Sequence, residues 1–175
     1  MSPRVGRMRI LAALALLALG GWMLAHGWLS GPQAARETPA AGSSVRARVV
    51  RVVDGDTIVA SVDGDDEYVR YIGIDTPETV KPDTPVQCYG PQASNENHRL
   101  VEGETVRLSF DREVRDDYGR LLAYVHLGKR FVNAELVRGG YARPLRIAPN
   151  TARAAELRRL ATRAAKDGRG LWGAC

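Results

Sequence analysis

The sequence predicts an α+β fold: a five-stranded OB-fold-type (oligonucleotide/oligosaccharide-binding) β-barrel with three helices, preceded by an N-terminal hydrophobic helix. Three observations carry that expectation. Alternating, Val-rich segments separated by short Asp/Gly turns recur between Val45 and His126, and period-2 alternation marks half-buried strands. Segments opened by Pro or closed by Gly, with helical spacing of apolar residues, interrupt and follow them. A small sheet left with open edges tends to curl until they meet, which favours a compact Greek-key barrel.

Arg4, Arg7 and Arg9 precede Ile10–Leu29, a run whose only ionisable side chain is His26. A basic flank followed by an apolar run with no polar face is built to meet a membrane rather than to cover a core. At about 1.5 Å per residue the run reaches roughly across a 30 Å hydrocarbon layer, so residues 10–29 suit an uncleaved anchor. Gly20-Gly21 also divides the run, and Ala25-His26-Gly27 offers the small residues of a signal-peptide cleavage site. Trp22 and Trp28, at home in the membrane interface, favour the anchor. Either way the remainder is exported. Residues 1–30 are assigned to a signal peptide or membrane anchor, and 31–44 (GPQAARETPAAGSS) to a flexible linker. Residues 45–175 form the folded domain.

Charge excludes one simple reading. The whole chain has 25 Lys+Arg against 20 Asp+Glu, but residues 1–44 hold four Arg and one Glu, leaving 21 against 19 in the folded part. Net basicity therefore says nothing about a polyanionic partner, and a cationic surface must come from local placement. With Cys88 and Cys175 the only cysteines, neither a disulfide-dense miniprotein nor a four-cysteine zinc module can form.

Val45–Val53 reads as the first strand, Asp54-Gly55 as a hairpin turn and Thr57–Val62 as the second strand. Asp63–Asp66 is another turn, and Glu67–Ile74 the third strand. Thr79–Gln87, with Pro82 and Pro85, reads as a surface loop. Pro91 opens a helix that runs to Val101 and ends at Glu102-Gly103. Thr105–Phe110 and Leu121–His126 complete the strands around the charged turn Asp111–Arg120. Asn133–Arg138 is a short helix closed by Gly139-Gly140, and Thr151–Lys166 a longer one stopped by Asp167-Gly168.

The chemistry-bearing residues are scattered. Asp54 and Asp56 flank one turn, and Asp75, Thr76 and Glu78 stand where the third strand leaves the sheet. If the second and third strands are neighbours, Asp56 and Asp75 face each other at the barrel mouth. Two carboxylates, a main-chain carbonyl and waters suit Ca2+, which takes six to eight oxygens in loose geometry. Arg70 lies an odd number of positions before Asp75, so a regular strand would point them to opposite faces. A distortion is required, and Gly73 is its natural place. Taken singly, Arg70 and Arg120 read as ordinary solvated arginines.

Together, VVDGDTI (52–58), VRYIGIDTPE (69–78), YGPQAS (89–94), DDYGRLLAYV (116–125) and FVNAELVRGG (131–140) resemble the staphylococcal nuclease, or thermonuclease, family in order and spacing. The resemblance implies a five-stranded barrel with three helices and a calcium-dependent phosphodiesterase acting on DNA and RNA. It implies Asp56, Asp75 and the carbonyl of Thr76 as calcium ligands, Glu78 as general base, and Arg70 and Arg120 as the arginines on the scissile phosphate. Asp54 corresponds to a neighbouring acid and Tyr118 to a ring beside the bound nucleotide. Two departures stand out: Arg143–Asn150 lacks the family's frequent tyrosines, making Arg143 and Arg146 candidates to grip phosphate there, and Asp117 replaces a common lysine.

In an exported chain two thiols tend to pair, so a Cys88–Cys175 disulfide and a monomer are expected. Two rival functions remain. One is a barrel that binds single-stranded nucleic acid without cutting it, which would gain nothing from Asp56, Asp75 and Glu78 beside its groove. The other is a surface calcium-binding module, against which Arg70 and Arg120 speak because nearby cations oppose metal binding. His26, His98 and His126 show no metal-ligand spacing. Arg153, Arg158, Arg159 and Arg163 read as a solvated helix face.

Overall fold

The computed structural model describes residues 38–80 and 82–175. The anchor-or-signal segment and the first half of the linker, residues 31–37, lie outside the described residues. Among the described residues no helix is long and apolar enough to cross a membrane.

Five strands close the barrel: β1 (Ser44–Val52), β2 (Thr57–Val62), β3 (Asp65–Tyr71), β5 (Thr105–Ser109) and β6 (Leu121–Leu127), with a short β4 (Ile74–Asp75) between β3 and β5. The sheet order β3-β2-β1-β5-β6 is antiparallel throughout, and a parallel pairing of β3 with β6 joins its ends through Val69↔Leu121, Arg70↔Leu122 and Tyr71↔Ala123. Closure leaves neither edge open. Inward residues such as Val49, Ile58, Val69, Leu108, Leu121 and Val125 are fully buried, as period-2 alternation requires. β7 (Arg130–Phe131) pairs antiparallel with the end of β6, and β8 (Arg143–Pro144) with β4.

Three helices cover the barrel, and a fourth short one ends the chain: α1 (Gly90–Val101), α2 (Val132–Arg138), α3 (Ala154–Lys166) and α4 (Leu171–Ala174). Each turns its apolar residues inward: Ala93, Leu100 and Val101 from α1, Leu136 and Val137 from α2, Leu157, Ala161 and Ala164 from α3. Cys88 and Cys175 form the expected disulfide, which ties the chain end to the approach of α1.

Local departures from the sequence reading have physical causes. Asp54-Gly55 is not the tight hairpin turn. The β1–β2 link is longer, with the Val53 and Asp54 amides both donating to the Thr57 carbonyl at 2.9 and 3.3 Å. Asp63-Gly64 is the two-residue turn, with positive φ at both positions (52° and 93°), so Asp65 and Asp66 join β3. The third strand breaks after Tyr71 at Gly73, whose φ is +83° and where a Cβ would lie 2.6 Å from Leu157 Cδ1. Helix α3 starts at Ala154 rather than Thr151, because the Ala152 amide donates to Asp111 Oδ2 (3.1 Å) and the Arg153 amide to the Tyr124 hydroxyl (3.3 Å).

Candidate active site

The break at Gly73 brings Arg70 and Asp75 together despite their opposite strand parity. Arg70, near the end of β3, reaches over the turn with its whole guanidinium. Nη1 lies 2.8 Å from Asp56 Oδ1 and donates to the Ile74 carbonyl at 3.1 Å, while Nη2 donates to Asp75 Oδ1 at 3.0 Å. Asp56 itself is buried in the β1–β2 link. Its Oδ2 accepts the Thr76 amide at 2.7 Å and the Thr76 hydroxyl at 2.9 Å, and its own amide donates to Asp54 Oδ1 at 3.0 Å. Gly55 makes this approach possible, since a Cβ there would fall 2.7 Å from the Thr76 side chain. Its role is clearance rather than a turn conformation.

Burial pushes the Asp56 carboxyl up to about 7; Arg70 pulls it down, Asp54 adds to the rise, and the two Thr76 hydrogen bonds oppose it. A buried carboxylate held this way is under-compensated, and a further positive charge would be welcome beside it. Among the described residues no three His, Cys, Asp or Glu side chains form a ready metal cage. The donors on hand are the Asp56 and Asp75 carboxylates and neighbouring backbone and hydroxyl oxygens. Such an all-oxygen, incomplete set fits a hard divalent cation that keeps waters, and not zinc.

Arg120 comes from the other side of one cavity. Asp116 Oδ1 accepts the Tyr118 and Arg120 amides at 3.1 and 2.9 Å, and its Oδ2 accepts Arg120 Nε at 2.8 Å. One carboxylate thus shapes the turn and aims the guanidinium. Tyr118 is 86% exposed, with its ring centroid 5.5 Å from Arg120 Cζ. Arg70, Asp116, Tyr118 and Arg120 line a cavity of about 330 Å³, which Leu145 and Ile147 also line.

Glu78 stands apart from that cavity, on the loop that follows Thr76. Its Oε1 accepts the Thr79 and Val80 amides at 2.8 and 2.9 Å, which fixes the carboxylate's orientation. Gln87 clamps the loop's base: its amide donates to the Glu78 carbonyl at 2.9 Å and its Oε1 accepts the Glu78 amide at 3.0 Å. The structure therefore gathers Asp54, Asp56, Arg70, Asp75 and Thr76, sets Arg120 and Tyr118 on the cavity beside them, and holds Glu78 on the adjoining loop.

Two supporting residues escape a sequence reading. Asp116 is one, although an acid two positions before Tyr118 and four before Arg120 fits a side-chain-capped turn. Asn97 is the other. Buried on α1, it accepts the Tyr71 hydroxyl at 3.0 Å and donates to the Asp54 carbonyl at 2.9 Å. Only its place on an otherwise apolar helix face hints at this.

A family model described as "Staphylococcal nuclease homologue" matches residues 68–174. The chain belongs to the staphylococcal nuclease family. Similar family members include the thermonucleases of Staphylococcus intermedius, 55% identical over 102 residues, and Staphylococcus hyicus, 50% identical over 103. These alignments cover 58% and 59% of this chain and 61% of each relative. Endonuclease YncB of Bacillus subtilis (strain 168) is 46% identical over 103 residues, 58% of this chain and 49% of that protein. The chain thus spans less than two thirds of these curated relatives.

Against the staphylococcal nuclease family pattern, the Arg143–Asn150 segment departs as the sequence indicates, but not by substituting arginines into the cavity. Leu145 and Ile147 line it. Arg143 lies over the Trp172 ring, 4.7 Å from its centroid, and Arg146 faces a neighbouring groove. Neither arginine lines the Arg70–Arg120 cavity itself; Arg143 lines a pocket with Asp75 and Thr76, and Arg146 the neighbouring groove. Asp117 does line the cavity and adds negative charge there.

Proposed function

We propose that this protein is an exported, calcium-dependent phosphodiesterase that hydrolyses DNA and RNA. The observation that supports it best is the pairing of two guanidiniums, Arg70 and Arg120, on one cavity whose Arg70 side adjoins Asp56 and Asp75. A phosphodiester is an anion that repels nucleophiles, so a catalyst must meet charge as it grows on the equatorial oxygens. Each guanidinium offers two parallel N–H donors to the phosphate, setting its orientation as well as balancing its charge. Asp56, Asp75 and the carbonyl of Thr76 would hold calcium, which when bound supplies positive charge against the phosphate and favours ionisation of a water. Glu78, its Oε1 fixed by the Thr79 and Val80 amides, takes the proton from the water attacking in line with the leaving oxygen. Asp54 holds the Asp56 backbone, and the exposed Tyr118 ring offers a face to the nucleotide.

Export and a monomeric state belong to the same proposal. The hydrophobic run at residues 10–29 anchors the chain or is cleaved from it, and the Cys88–Cys175 disulfide favours an oxidising compartment. The names of the relatives support the nuclease reading, being thermonucleases and an endonuclease. The test is cleavage of single-stranded DNA and of RNA by the full-length chain in detergent, with calcium and then with chelator. Calcium-dependent cleavage is expected. Tight binding of either polymer without cleavage under both conditions would favour the non-catalytic barrel instead.

A further inference from the structure

A second groove of about 360 Å³ adjoins the Arg70–Arg120 cavity. Gly73 and Leu145 line both, so they form the saddle between them. That saddle is rigid, because the Leu145 amide donates to the Gly73 carbonyl at 2.9 Å. It is also low, because Gly73 carries no side chain.

The groove's lining is unusual in charge. Arg146 enters from the segment after β8 and Arg158 from α3, and the remaining lining residues are Pro, Leu, Thr, Ala and Gly. No carboxylate lines it, whereas Glu113, Asp116 and Asp117 line the first cavity. Neither Arg146 nor Arg158 forms an ion pair with any described residue, although Arg120, Arg138, Arg153 and Arg169 each do. Both side chains are exposed and line the same groove, so an anion lodged there can take charge-assisted hydrogen bonds from each guanidinium. No aromatic ring lines the groove, so base stacking contributes nothing and the phosphate is what it can recognise.

We propose that this groove is a second phosphate subsite, in which Arg146 and Arg158 hold the backbone of a polynucleotide strand that continues over the Gly73–Leu145 saddle from the scissile phosphodiester. The inference rests on the nuclease reading for its ligand and extends it: the preferred substrate is a strand of several nucleotides, gripped without regard to sequence. Arg146 and Arg158 position the strand and take no part in bond breaking.

The experiment measures binding apart from cleavage. Fluorescence anisotropy of labelled oligo-dT, 20-mer and 3-mer, is followed with the full-length chain in detergent and chelator, across a salt series. For Arg146→Gln/Arg158→Gln the 20-mer Kd should rise roughly tenfold while the 3-mer changes less than about twofold. The slope of log affinity against log salt should become shallower by about 1.4, as expected for two lost single-strand phosphate contacts at roughly 0.7 each. The charge-matched control Arg159→Gln/Arg163→Gln, whose side chains do not line the groove, should stay within about twofold of wild type. Equal losses in the two double variants, or a 20-mer Kd unchanged in the first, would overturn the subsite. A parallel calcium assay separates the two claims: wild type that binds the 20-mer through these arginines but never cleaves sinks the nuclease reading and leaves the groove standing.

Discussion

The Arg70 guanidinium bridges two carboxylates from different strand ends, with Nη1 2.8 Å from Asp56 Oδ1 and Nη2 3.0 Å from Asp75 Oδ1. The bridge joins Arg70, Asp56 and Asp75, the residues proposed to meet phosphate and metal, in one hydrogen-bonded unit. A divalent ion held by Asp56 and Asp75, as proposed, would compete with Arg70 for the same oxygens. Occupation by metal would relax the hold on Arg70 and leave its fork for phosphate.

Replacing that fork by a point charge tests its geometry. Arg70→Lys and Arg120→Lys keep the charge but cannot donate two parallel bonds. We expect kcat/KM on single-stranded DNA to fall by about 10² or more in each. Near-normal turnover in either variant would remove that arginine from the reaction.

Asp75 tests the metal. It is exposed, so its pairing with Arg70 contributes little stability, on the order of 0–1 kcal/mol at most. Asp75→Asn should therefore melt close to wild type in chelator. Wild type should gain several degrees on saturation with calcium, because a ligand bound only by the folded state stabilises it. Asp75→Asn should need at least about tenfold more calcium for the same gain. An unchanged calcium titration contradicts its role as a ligand.

The disulfide closes a loop of 87 positions between Cys88 and Cys175. Constraining the unfolded chain this way is worth typically about 2–4 kcal/mol. Reduction, or Cys88→Ala/Cys175→Ala, should lower denaturant stability by that order. Two free thiols found by mass spectrometry of the unreduced protein would refute the bond.

His126 gives stability an acid limb. It stacks on Phe131 with centroids 4.9 Å apart, and its Nδ1 has no hydrogen-bond partner. Burial lowers its pKa, Arg107 and Arg153 lower it further, and the Tyr124 backbone and Glu156 oppose them. Because the folded state holds the proton less tightly than the unfolded one, nothing is lost at neutral pH. Stability falls as pH drops through the unfolded value near 6.5 and levels off below the folded value. His126→Phe should flatten this part of the pH profile of urea unfolding, and an unaltered slope would exclude His126 as its source.

Much of the barrel was legible because its strands alternate cleanly and its turns carry Asp and Gly. The closure was not: the β3–β6 pairing is parallel and distant in sequence, and nothing local in Val69–Tyr71 or Leu121–Ala123 announces it. Which Asp-Gly makes the tight turn was also hidden. Asp63-Gly64 and Asp54-Gly55 look alike, and only the approach of Thr76 shows that Gly55 provides room rather than a turn. At the site, odd parity between Arg70 and Asp75 correctly demanded a break at Gly73. Asp116 and Asn97 act through backbone groups brought near by folding, a role their positions alone do not disclose.

The central claim is that these side chains direct a water against a phosphodiester with the help of a divalent ion. Cleavage of single-stranded DNA by the full-length chain in ¹⁸O-enriched water, with calcium and with chelator, tests it most directly. The account predicts one labelled oxygen in each newly formed terminal phosphate with calcium, and no cleavage with chelator. Product phosphate free of label, or cleavage undiminished by chelator, would contradict it.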